Sequence, residues 1–73
     1  MNKKNLYLIE GITKDIIAYL IEDGDIDVFG AITLFYNSET FEKLIDEKAG
    51  LYIESSAYVY EILKTEIKMG KIY

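Results

Sequence analysis

Apolar residues return every three or four positions along nearly the whole chain, which is the period of an α-helix and not the alternation of a strand. Leu6, Ile9, Thr13, Ile16, Ile17 and Leu20 fall on one side of a helical wheel with Glu10, Lys14 and Asp15 opposite, so the spacing predicts an amphipathic helix over about residues 3–22. Gly11 weakens that helix by about 1 kcal/mol relative to Ala and leaves room for another backbone to approach. The run Glu22-Asp23-Gly24-Asp25 ends it. Asp25 is placed to cap a second helix over about 26–36, where Val28, Ala31, Ile32 and Phe35 repeat at i, i+3, i+4 and i+7. Asn37 or Ser38 caps a third helix over about 39–48, with Glu39 and Glu42 near its positive end and Phe41, Leu44 and Ile45 as its apolar stripe. Ala49-Gly50 should close that helix through a left-handed glycine, with Leu51 packing back on Ile45.

Leu51-Tyr52-Ile53 is too short and too isolated to predict a sheet, and reads as a packed connector. Ser55 or Ser56 starts a fourth helix over about 56–69, with Lys64 and Lys68 near its negative end and Gly70 as its stop. Its apolar arc, running through Tyr58, Val59, Tyr60, Ile62, Leu63 and Ile67, covers more than half the circumference, as expected of a central helix or one with an interface. Glu66 falls within that arc. Two outcomes are open for it: the helix end leaves the carboxylate in water, the favoured one, or it is partly buried and needs a Lys or Tyr hydroxyl partner. The fold class expected is all-α, a small bundle of three to four short helices forming one domain over 1–73.

At 73 residues the core is small, and a single core of this size rarely supplies more than about 3–5 kcal/mol. The chain has no Cys and no His, so disulfides and thiolate or imidazole metal ligation are excluded, leaving oligomerisation or a partner surface as sources of further burial. All eight basic residues are Lys. Charged residues interrupt every apolar run, so neither a secretory nor a membrane-spanning segment is expected, and a cytoplasmic setting fits.

The net charge of −5 is concentrated: residues 22–54 hold nine acids against two lysines, a net of −7, whereas each flank is +1. A surface of that sign repels the phosphate backbone, and a helix-turn-helix built on the second and third helices would present Glu39, Glu42, Asp46 and Glu47 to the groove. Direct nucleic-acid binding is therefore not expected, and a basic protein partner is the better match.

Catalytic and metal chemistry find little footing. Asp23, Asp25 and Asp27 alternate like the start of a calcium loop, but Val28 stands where Gly is needed and Leu34 where a bidentate Glu is needed. They read as a solvated turn and a helix cap. A nucleophile would have to be Ser, Thr or Lys, none in an activating motif, so no catalytic residue, metal or cofactor is assigned and an enzyme is not expected. Tyrosines buried by their rings and wet at their hydroxyls concentrate at protein interfaces. The acidic, aromatic middle therefore nominates Tyr36, Glu39, Glu42, Asp46, Tyr52 and Tyr58 as interface residues, while Phe41 is assigned to the core.

Asn37-Ser38-Glu39-Thr40-Phe41-Glu42-Lys43-Leu44, then Gly50-Leu51-Tyr52, then a serine and Tyr58-Val59-Tyr60-Glu61 together resemble a family of short, uncharacterised bacterial proteins of Firmicutes type. Those show Tyr-Asn-Ser-x-Thr-aromatic, Thr-Gly-Leu-Tyr and Ser with Tyr-Val-Tyr-Glu. The resemblance spans about residues 34–66, and Ala49 stands where the pattern has Thr. It implies a neighbour of toxin-like or mobile-element type, hence an antitoxin-like or regulatory role. The function expected is a small acidic protein-protein interaction module with a basic partner. The alternative is a small structural or self-assembling protein, a homo-oligomer with no ligand site.

Overall fold

The computed structural model describes residues 3–70, so the expected span of a single domain, 1–73, reaches beyond the described residues at both ends. Four α-helices and one 3-10 turn follow in order: α1 Lys3–Gly24, α2 Val28–Tyr36, α3 Glu39–Ile45, the 3-10 turn Leu51–Ile53 and α4 Ser56–Met69. No strand occurs among the described residues. The all-α bundle expected from the helical period is the fold.

α1 is the long element against which α2, α4 and the 3-10 turn pack, and α3 closes onto α4 and the 3-10 turn. α1 buries Ile9, Ile12, Thr13, Ile16 and Leu20. Ile16 of α1, Phe35 of α2, Leu44 of α3 and Val59 and Leu63 of α4 are fully buried, so every helix anchors the same core. Fully burying a side chain of this kind contributes roughly 1.5–3 kcal/mol each, and most of that is offset by the entropy of ordering the chain.

Several boundaries differ from expectation for local reasons. α2 starts at Val28 because Asp27, and not Asp25, is the N-cap: its carboxylate accepts from Gly30 N–H at 2.7 Å. Asp25 instead turns the chain with φ +54°, a left-handed geometry that Asp tolerates better than most residues. Ser38 is the α3 cap, its Oγ accepting from Phe41 N–H at 3.0 Å while donating to the Phe35 carbonyl at 2.6 Å. Asn37 instead donates through its side chain to the Thr33 carbonyl at 2.7 Å and so closes α2. α3 ends at Ile45, earlier than the expected residue 48, because Asp46 is extended and its carboxylate accepts from Lys48 N–H at 2.9 Å in a local turn. Gly50 is left-handed (φ +66°) as a helix stop would be, but it opens the 3-10 turn and lies beyond the end of α3. Ser55 caps α4 through Tyr58 N–H, leaving Ser56 free to donate to Asp15 at 2.6 Å. Gly11 admits no close backbone among the described residues; its side faces open space.

Candidate functional site

Between α1 and the corner where α2 meets α3 runs an open groove of about 580 Å³. Its α1 bank carries Leu6 and Ile17, at the margin of the buried stripe, the buried Ile9, and the charged Glu10 and Lys14. Its other bank carries Tyr36, Phe41 and Ile45. Their apolar surface is accessible: Leu6 is 50%, Tyr36 48% and Ile45 41% exposed. The aromatic bank is rigid, because Phe35, fully buried, meets Phe41 edge-on at 5.3 Å and Phe41 meets Tyr36 edge-on at 4.7 Å. Thr13 also lines the groove, only 7% exposed, and its hydroxyl has no hydrogen-bond partner among the described residues. An unpaired buried hydroxyl is costly, so Thr13→Val, which keeps the shape and removes the oxygen, is expected to raise stability by about 1 kcal/mol. A urea midpoint that does not rise would show that the hydroxyl is satisfied in solution.

Glu66 fixes the position of the α3 bank. The carboxylate accepts from Glu39 N–H at 2.8 Å, from Thr40 N–H at 2.9 Å and from Thr40 Oγ1–H at 2.7 Å. It is neither left in water nor partnered by Lys or Tyr hydroxyls, because α3 turns its first, otherwise unpaired N–H groups toward α4. Burial acts to raise the Glu66 pKa, but the hydrogen bonds from Glu39 and Thr40, with the nearby Lys43 charge, outweigh it and hold the carboxyl below its ordinary range. Thr40, wholly buried, is oriented by the same contact.

Earlier on α4, Tyr60 donates to Asp23 at 3.1 Å, its hydroxyl 3.4 Å from the Tyr19 carbonyl, and its ring lies 5.0 Å from that of Tyr19. Burial, then the Asp23 hydrogen bond and charge and the Glu61 charge, raise the Tyr60 pKa. Asp23 thus ties α1 to α4, Asp27 caps α2 and Asp25 makes the turn. Among the described residues no three acids converge in a way that could hold a metal, and no helix is long and apolar enough to cross a membrane.

Of the six nominated interface residues, Tyr36 alone lines the groove. Glu42 and Asp46 are exposed on and just after α3, whereas Glu39 is half-buried with its backbone N–H engaged by Glu66. Tyr52 is half-buried against the core, and Tyr58 is exposed in the first turn of α4; neither lines the groove. Phe41, assigned to the core, is half-buried and forms the groove wall. Leu6, Ile17 and Ile45 were not nominated, and their only signal is a place at the edge of an apolar stripe. No family model, curated protein or solved structure matches the chain.

Proposed function

We propose that this chain is a small acidic protein-protein interaction module whose groove receives an apolar helical segment of a basic partner protein. The supporting observation is an open apolar trough whose rigid aromatic wall belongs to the acidic middle of the chain. Glu42 is exposed on α3, adjacent in sequence to the wall residue Phe41, and of the two charged residues lining the trough Glu10 is the acid, with Lys14 one turn further along α1. An amphipathic helix placing residues i, i+3, i+4 and i+7 in such a trough keeps its flanking lysines or arginines over those acids. The antitoxin-like or regulatory role implied by the resemblance of residues 34–66 is the cellular form this reading takes. No step of it requires a catalytic group, a cofactor or nucleic acid.

The test is titration with a helical peptide carrying leucine at those four positions and lysine elsewhere, beside its glutamate twin. Amide shifts should move at Tyr36, Phe41 and Ile45 with the lysine peptide only. Tyr36→Ala and Ile45→Asp should each weaken binding by about 1–3 kcal/mol, the cost of removing an anchor residue. Equal binding of the glutamate twin, or shifts confined to other surfaces, would overturn the proposal. Self-assembly is the second reading, favoured by the charge pattern on the outer face of α1.

A further inference from the structure

Lys4, Tyr7, Gly11, Lys14 and Ala18 follow one another at alternating spacings of three and four on the side of α1 turned away from the core, and all are exposed. No other helix among the described residues covers this ridge. Tyr7 is 76% exposed on it, and the backbone at Gly11 faces open space. A second hollow of about 450 Å³ lies beside Tyr7 and Gly11 on the α4 side, so the ridge stands between two depressions.

Charge along this ridge has a particular order. Lys4 stands near the start of α1 and Glu22 near its end, 18 residues or about five turns apart, so they point in the same direction. Glu10 and Lys14, one turn apart on the other flank, straddle the helix midpoint, and neither side chain has an ion pair or hydrogen bond among the described residues. Asp15, the remaining acid at the midpoint, is turned toward α4 by its bond to Ser56. We propose that the outer ridge of α1 is a self-recognition surface on which a second copy of this chain packs antiparallel about a two-fold axis centred near Ile12 and Thr13. A two-fold axis across an antiparallel helix pair keeps residues of like direction on the same flank. Lys4 then meets Glu22 of the second copy, Glu10 meets Lys14, and Tyr7 lies over Ala18, each contact made twice. A parallel pair would instead set lysine against lysine. The choice of α1 follows from the rest of the surface as well: residues 22–54 carry −7 and repel their own copy, whereas residues 1–21 carry +1. The proposal goes beyond the groove reading, since no basic partner enters it, and Glu10 and Lys14 stand on the rim that the groove and the ridge share.

Sedimentation equilibrium of the full chain tests it at low salt, with Glu10→Lys and Lys14→Glu made separately. Wild type should dimerise reversibly. Each variant places like charges at both symmetric contacts, so each should weaken dimerisation by about tenfold or more. An equimolar mixture of the two should recover wild-type association as a heterodimer. In that mixed pair one symmetric contact keeps its native charges and the other carries the same two charges exchanged, so both again set an ammonium against a carboxylate. Both changes are at exposed helical positions, and circular dichroism confirms retained helix. A wild type monomeric at millimolar concentration, single variants that dimerise as well as wild type, or a mixture no stronger than its components would each overturn the proposal. Sedimentation is run without peptide, so a groove that fails to bind the peptide leaves this result unaffected.

Discussion

Glu66→Ala is expected to destabilise the domain by about 2–4 kcal/mol, because hydrogen bonds to a charged group contribute about 1.5–3 kcal/mol and three donors lose their acceptor together. Two of those donors, Glu39 N–H and Thr40 N–H, are the unpaired start of α3, and the third is the hydroxyl of the wholly buried Thr40. Glu66→Gln should recover part of the loss, since its carbonyl oxygen can still accept from Thr40 N–H and Oγ1–H while its amide nitrogen sets donors against Glu39 N–H. Thr40→Val removes only the hydroxyl and should cost about 1 kcal/mol. Urea denaturation separates the cases. Equal midpoints for wild type and both Glu66 variants would mean that the carboxylate contributes nothing to the fold.

The same contact has a pH signature. The folded-state pKa of Glu66 is lowered from 4.5, so its stabilisation is fully present above about pH 4.5 and is lost as pH falls through the lower folded value. The difference in midpoint between wild type and Glu66→Gln should therefore be constant from neutral pH down to about 4.5 and shrink below it. A difference that stays constant to about pH 2 would remove the carboxylate from that role. Because α3 carries Phe41 and Ile45, loosening its attachment to α4 should also reduce binding of the lysine peptide to the groove.

The helices were legible because period and caps act locally: the 3.6-residue repeat and the serines before residues 39 and 56 need no knowledge of the rest of the chain. At the helix ends, local geometry that the helical period does not record decided. Asp27 outcompeted Asp25 because its carboxylate reaches Gly30 N–H, and the early end of α3 followed from a local turn at Asp46 that helical periodicity does not record. Glu66 was legible as an anomaly, a carboxylate in an apolar arc, but its partners lie 26 and 27 residues away on α3, and spacing along one helix cannot reveal them. The groove was the least legible feature. Leu6, Ile17 and Ile45 have the same side-chain chemistry and period as core residues, and only the distance between α1 and α3 leaves them partly in water. Charge and aromatic content pointed to the middle of the chain, but folding put Tyr36 in the groove and left Tyr52 and Tyr58 outside it.

Phe35→Ala should abolish the fold. Truncating a fully buried phenylalanine costs about 3–5 kcal/mol, which matches the whole stability that a core of this length supplies. The more informative change is Phe35→Leu. It retains most of the volume and should cost about 1–1.5 kcal/mol, leaving a folded domain. It also removes the ring that meets Phe41 edge-on at 5.3 Å and Tyr36 at 6.1 Å, contacts that hold the groove wall in one geometry. Aromatic pairs of this kind contribute about 0.5–1.5 kcal/mol beyond their area, so the Tyr36 and Phe41 rings should become more mobile and the lysine peptide should bind several-fold more weakly. Thermal unfolding followed by circular dichroism reads the first effect, and peptide titration of the folded Leu variant reads the second. A cooperative melt for Phe35→Ala near the wild-type temperature would show that the core does not depend on this ring. Full peptide affinity in Phe35→Leu would show that the wall is held from elsewhere, with the core stabilising the helices but not shaping the groove.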